Sequence, residues 1–472
     1  MVTMMKPEIQ TYRAHFEELE KRWGGKGSLP LSSLRRRAME RFAALGFPTV
    51  KQEEWKYTSV APIARVPFQP AAHDERAVRE RDGEPLGDVT ACRLVFVNGR
   101  FAPQLSTLVA LPKGVRAGSL ADALPSDSAV VEAHLAQYAD FDNHPFVALN
   151  TALMEDGAFV YVPRNTVVEE PIHLLFISTT NGEPWVSHPR NLIVLDENSQ
   201  ATVVETYIGC ERCPPEGGTT NVPPASEGCS YFTNAVTEIV VGASAVLDHI
   251  KVQWEHKAAF HLATVQAQLS RSSAVTSFSI SLGGALVRND INVVLGGEGG
   301  EATLNGLYVA DGTQHVDHHT LIVHAQPHCP SHELYKGILD GKATAVFNGK
   351  IHVRPGAQKT DAKQTNQNLL LSRDATINTK PQLEIYADDV RCTHGATVGQ
   401  LDADALFYLR SRGIGADEAR ALLTYAFASD IFHRIKVEAL RRRLEELTLE
   451  RWNVGTLKPA NLETLELSNH SV

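Results

Sequence analysis

Residues 302–353 read ATLNGLYVADGTQHVDHHTLIVHAQPHCPSHELYKGILDGKATAVFNGKIHV, short runs rich in Val, Ile, Leu and Thr cut by Asp-Gly, Gln-Pro and Gly-Lys steps. β-Branched and aromatic residues suit a pleated, half-buried strand, and the Gly- and Asp-bearing breaks suit turns. One strand start per run gives Asp248, Ala263, Val275, Asn289, Ala302, Asp317, Ser331 and Thr344, with gaps of 15, 12, 14, 13, 15, 14 and 13 residues. A near-constant period without helices between the runs argues for a stacked array, each repeat burying its apolar face only against its neighbours. The expected core is a β-helix or solenoid over residues 151–400. An antiparallel sandwich, whose turns also recur often, is the competing architecture.

Outward from this core the texture changes. Residues 1–150 read as a helical or mixed region: Ser32 or Ser33 can cap a segment with Leu34, Ala38, Phe42 and Leu45 at helical spacing, stopped by Gly46 and Pro48. Leu94, Phe96 and Asn98 alternate with their neighbours and lead into Gly99, a strand and turn. Residues 401–472 read as a helical domain, with segments Ala416 to Phe432 and Ile435 to Trp452 carrying Leu422, Leu423, Ala426 and Phe427, then Leu440, Leu444 and Leu447. Since exposed terminal turns of a stacked array need covering, these helices are expected to cap the solenoid's end.

The 472 residues are 43% hydrophobic and 21% charged, as in a folded globular chain of about three units. No run of 18 uncharged apolar residues is present, so no spanning helix is expected. The first 25 residues hold Glu8, Glu17, Glu18 and Glu20 and no apolar run, which fits neither a secretory signal nor a transit peptide; they are expected to stay in the fold. A formal charge of -10 disfavours nucleic acid, and the arginine triplets at 35–37 and 441–443 lie in helical segments as solvated faces. Six irregularly spaced cysteines point to free thiols in a reducing cytoplasm rather than to a disulfide framework.

The common catalytic signatures are missing. There is no GxxxxGK[ST] phosphate loop, so no ATP site, and no GxSxG, HExxH or strand-then-GxGxxG pattern. Cys210, Cys213 and Cys229 form a partial metal pattern without a fourth ligand nearby, in a Pro- and Gly-rich insertion that reads equally as a linker. His315, His318, His319, His324, His328 and His332 surround Cys329, but strand alternation sets 318, 324, 328 and 332 against 315, 319 and 329, so packed or surface histidines compete with a metal site. Asp388 and Asp389 are adjacent and would point apart in a strand, which argues against the paired acid and base of a carbohydrate-active β-helix enzyme. A stand-alone metal-binding protein built on the histidines is the other alternative. Cys392-Thr393-His394 is the sharpest local feature: in a strand its thiol and imidazole share one face, about 6–7 Å apart, and could share a metal such as iron.

Around that tripeptide the sequence becomes familiar. Glu384-Ile-Tyr-Ala-Asp-Asp-Val-Arg-Cys-Thr-His-Gly-Ala-Thr-Val-Gly399, followed by Phe407-Tyr-Leu-Arg-Ser-Arg-Gly-Ile414, resembles the C-terminal signature of the SufB/SufD family, the scaffolds of the SUF iron-sulfur cluster assembly system. Gly46-Phe-Pro-Thr49, Glu54-Trp-Lys-Tyr-Thr58, Asn150 with Gly157 to Pro163, Pro171-Ile-His173, Tyr335-Lys-Gly-Ile338 and Phe347-Asn-Gly-Lys350 are similar to further motifs of the family, so the resemblance spans nearly the whole chain. Gly395 stands where the SufB branch has an acidic residue, Cys392 is the sole cysteine of the segment, and Leu409-Arg-Ser-Arg412 has the SufD form. The SufD branch fits best.

The resemblance implies a right-handed parallel β-helix between helical ends. It implies a non-catalytic scaffold that pairs with SufB through the β-helix and docks the SufC ATPase on its C-terminal helices, with Phe427, Asp430 and Ile431 as docking candidates. Phe427 and Ile431, four apart on one helix, could equally be core. His394 maps onto the branch's functional histidine and Cys392 onto its interface cysteine, implying iron or a nascent iron-sulfur cluster held transiently and shared with SufB groups. It allows flavin in the assembled complex only, and a homodimer of the chain in isolation.

Overall fold

The computed structural model describes residues 6–23, 29–73, 75–78, 89–90, 92–179, 182–209 and 230–452. Strands alternate between two facing sheets that wind into a parallel β-solenoid of about seven turns. Leu286–Leu295 lies between Phe260–Leu269 and His315–His324 in one sheet, while Glu301–Ala310 lies between Ala274–Ser281 and Pro330–Leu339 in the other. Every expected strand start falls within the first four residues of a strand. The period read from the sequence is half a turn: register sets Asn289 beside His318 and His318 beside Phe347, each step 29 residues.

Strand alternation divides each strand between lumen and outer face. Ala345, Phe347, Ile351 and Val353 point inward and are buried. The motif glycines make the interior fit. A Cβ on Gly306 would lie 2.1 Å from the Tyr335 ring, and one on Gly337 would lie 2.2 Å from the Tyr308 ring. The two tyrosines therefore fill the lumen only because each faces a glycine on the adjacent turn.

The lumen is not uniformly apolar. Glu205 accepts from Tyr207 (2.6 Å), His249 (3.0 Å) and Thr237 (3.0 Å), while Lys251 contacts His261 (2.8 Å) and Asn289 (2.5 Å). Burial pushes the Lys251 amine down to about 8. Nearer the C-terminal end, burial holds the Glu333 carboxyl up to about 7, against smaller opposing effects of Thr320 and Gln364.

Helices Pro7–Trp23, Leu29–Leu45 and Pro145–Leu153 cover the outer face of one sheet, packing Tyr12, Phe42 and Phe146 against Phe232, Val236 and Leu262. The second of these begins before Ser32 and Ser33, which sit inside it instead of capping it; Gly46, at φ +64°, follows its last residue. The solenoid reaches back across residue 150. Strand Cys92–Val97 pairs in parallel with Ile172–Ser178, and residue 150 lies within Pro145–Leu153. The Glu54-to-Thr58 motif is clamped to the sheet by Arg288, which stacks 3.8 Å from the Trp55 ring centre, donates to the Glu54 carbonyl (2.7 Å), and pairs with Asp290 (2.8 Å) and Asp317 (3.0 Å). Burial pushes both carboxyls up, but Arg288 with His144, and His319 with Arg288, outweigh it and hold them well below the usual range.

The C-terminal helices do not cap the solenoid. Ala416–Phe432 and Glu438–Arg451 fold back along the outer face of the second sheet, where Ala428, Ile431, Phe432, Leu440 and Leu444 bury Ile250, Phe278, Leu307 and Ile338. That sheet face is apolar on alternate residues and stays wet unless covered, so lateral packing buries more than an end cap would. The final turn, Thr376–Ile385 and Arg391–Gly399, is left half-buried to exposed.

Two outcomes follow from the lumen. Gly337→Ala should destabilise the fold by about 1–3 kcal/mol through overpacking against Tyr308, read as a lower urea midpoint; an unchanged midpoint contradicts the glycine-tyrosine fit. Glu333 is raised from the ordinary 4.5 to about 7, so its stabilising contribution is fully present below 4.5 and lost as pH rises through about 7. Glu333→Gln should remove this decline, on the order of 3 kcal/mol, from unfolding curves taken across that range.

Candidate functional site at the open end of the solenoid

Cys392 and His394 lie on strand Arg391–Gly399, which begins after a turn; the strand holding Leu383 and Ile385 ends at Ile385 and belongs to the other sheet. Both side chains share a face, as expected for a strand. Register sets Cys392 over Ala362 and His394 over Gln364, two buried lumen-facing residues. On any earlier turn this position is sealed by the next turn. Here no described turn follows, and His394 is exposed while facing the lumen.

Cys392 is half-buried against a small cluster of Ile351, Val353, Ala362 and Ala387, and burial pushes its thiol up. It is a thiol until a cation draws off its proton, so metal binding there releases protons. Among the described residues no three His, Cys, Asp or Glu side chains are grouped to hold a metal ion at His394 or elsewhere. Several large apolar side chains on the last turn and on the helix that follows it are open to solvent: Ile385, Tyr386, Val398, Phe407 (73% exposed) and Tyr408, the last two on helix Ala403–Ser411. The outer edges of both terminal strands are unpaired among the described strands. A parallel edge with apolar neighbours is a template for another chain.

The other sequence candidates fall elsewhere. His318 and His324 face the lumen, buried and pushed down to about 3 and about 4, with His318 stacked 5.2 Å from Tyr308 and His324 bonded to Ser331 (3.0 Å). His315 bonds Thr58 and Thr344, His319 pairs with Asp317 (3.1 Å), and His332 points outward to solvent, so the histidines form no centre. Cys329 is buried separately. Asp389 pairs with Lys359 and not with Asp388. Cys210, Cys213 and Cys229 lie outside the described residues.

Of the three C-terminal candidates, Ile431 is fully buried in the seam between helix and sheet. Phe427 and Asp430 are half-buried and engaged by one lysine: Lys336 stands 4.7 Å from the Phe427 ring centre, donates to its carbonyl (3.2 Å) and pairs with Asp430 (2.9 Å). Lys336 is the outward partner of the inward Tyr335, so one motif serves both lumen and helix seam. Sequence reading missed Lys336, Gln364 and Glu333. Their signal is a place in register with Phe427's helix or with His394, which no local spacing displays.

The chain matches two family models: residues 6–174 the SufBD protein N-terminal region, and residues 176–427 the SUF system FeS cluster assembly SufBD core domain. It is 36% identical to the iron-sulfur cluster assembly SufBD family protein slr0076 of Synechocystis over 88% of this chain and 90% of that one. It is 33% identical to the iron-sulfur cluster assembly protein SufD of Escherichia coli, covering 86% and 89%, and 29% identical to the chloroplastic protein ABCI7 of Arabidopsis thaliana, covering 88% and 84%. With both regions matched in order, and with the solenoid and its flanking helices built around those same residues, the chain belongs to the SufBD family of SUF iron-sulfur cluster assembly proteins.

Proposed function

We propose that this chain is a non-catalytic scaffold of the SufD type, which pairs end-on with a SufB-type chain and presents His394 to iron or a nascent cluster held jointly by the two. The observation that carries the reading is a lumen-facing imidazole on a turn that nothing in the described chain covers. Exposed apolar side chains on the last turn, with two strand edges unpaired among the described strands, favour a protein partner that continues or abuts the sheets. The partner supplies the remaining ligands, and Cys392, beside the imidazole, adds a thiol that ionises on metal loading. Iron and sulfide are cargo here, and the reducing cytoplasm is the compartment that suits the free thiols of Cys92, Cys329 and Cys392.

The SufC ATPase docks on helix Ala416–Phe432 around Phe427 and Asp430, where Lys336 ties the helix to the solenoid and passes its movement to the strands. Nucleotide work is done by that partner.

Co-expression with SufB and SufC, followed by anaerobic iron and sulfide loading, tests the site. His394→Ala should leave the complex intact by size exclusion and lower retained iron by about tenfold or more; cluster formation at the unmodified rate would remove the proposed role. For docking, Phe427→Ala should lose SufC from the captured complex while retaining SufB. Ile431→Ala should instead lower the unfolding free energy by about 2–5 kcal/mol, as a buried truncation does. Full SufC capture by Phe427→Ala contradicts the docking assignment.

A further inference from the structure

Beneath His394 the lumen carries a column that the proposed function does not use. On successive turns of one sheet, register stacks Leu304, Glu333, Gln364 and His394. Gln364 donates from Nε2 to Glu333 Oε2 at 2.8 Å. Gly349, across the lumen, makes this possible: a Cβ there would lie 2.1 Å from Gln364 Nε2. Glu333 and Gln364 are 3% and 2% exposed; only the Gln364 amide and the Thr320 hydroxyl serve the carboxyl, and Oε1 of Gln364 has no hydrogen-bond partner among the described residues. A buried acceptor without a donor is costly, and one beside a buried carboxyl marks a place built for more than packing.

No fixed positive charge faces the carboxyl. Leu304 and Gln364 flank it on the adjacent turns, and Thr320 faces it from the opposite sheet. Tyr335, on the same strand, interacts with the carboxyl and is pushed up by burial, as is Tyr308; His318, on the facing strand beside Thr320, is pushed down to about 3. All three are neutral near pH 7. Lys336, next along the strand, points out to Asp430.

We propose that Glu333, linked through Gln364, is the internal counter-charge for a cation seated at His394, partly protonated while no cation is there and ionised when one arrives. The inference rests on the reading of His394 as a cation ligand and deepens it. The proton leaves Glu333 for bulk water through the open end, so near pH 7 each cation that loads releases about half a proton from the interior in addition to any from Cys392. Two strand spacings separate the column positions, about 10 Å, and a unit charge at that range in a protein interior moves a carboxyl by about one pH unit. Because burial already sets Glu333 at about 7, a step of that size crosses neutrality. Glu333 is thus a positioning residue acting through charge, and Gln364 transmits the field and holds the carboxyl in line.

Infrared difference spectroscopy of the full chain, following the protonated carboxyl stretch from pH 5 to 9, tests this without any metal. The unmodified chain should show a buried acid titrating near 7 that is absent in Glu333→Gln. His394→Arg, an exposed substitution that fixes a positive charge at the mouth, should lower the midpoint by about one unit. Gln364→Leu combined with His394→Arg should shrink that shift. An unmoved midpoint in His394→Arg overturns the proposal, as does a band that survives Glu333→Gln. In the complex co-expressed with SufB and SufC, anaerobic Fe2+ should abolish the band in the unmodified chain and spare it in His394→Ala. Loss of the band in both overturns the coupling. Failure of Fe2+ to bind the unmodified complex sinks the reading of His394 itself, while the arginine substitution still decides whether Glu333 senses charge at the mouth.

Discussion

Parallel backbone pairing between successive turns is the constraint on which the molecule depends. Once each strand must bond in register to the strand one full turn earlier, residues about 29 apart are forced into columns that run the length of the solenoid. A column tolerates a large side chain only where its neighbour is small, which is why Tyr308 faces Gly337 and Tyr335 faces Gly306. The same bookkeeping of positions puts Glu333, Gln364 and His394 in one line.

A ladder has an end, and the end differs chemically from every turn before it. In the interior, a lumen-facing histidine such as His318 is desolvated and neutral, stacked on Tyr308 and tilted against Tyr335. His394 occupies the same kind of inward position, but among the described residues no turn lies above it. Placement on the final turn, and not any special local geometry, makes an ordinary inward position accessible. The C-terminal helices Ala416–Phe432 and Glu438–Arg451 lie along the side of the sheet, joined to the strands through Lys336, and do not cover the last turn.

The N-terminal region acts as a clamp on the opposite sheet. Arg288 satisfies two buried carboxylates, a backbone carbonyl and the face of Trp55 at once. A buried ion cluster of this kind favours one geometry over others, and it explains why the Glu-Trp-Lys-Tyr-Thr motif sits far in sequence from the strands it touches.

The sequence by itself determined the strand spacing, the helical ends and the Cys392–His394 face, because these depend on side-chain alternation and period over a few residues, and a strand or helix expresses those locally. It also carried the family motifs that name the assembly system. Only the tertiary structure decided that two strand periods make one turn, that the helices flank the solenoid instead of capping it, that Ile431 is seam and not surface, and that the histidines of residues 315–332 split between lumen and exterior. Those outcomes follow from which apolar face finds a partner and which column a residue joins, and both are set by contacts between positions tens to hundreds of residues apart, where no local pattern reaches.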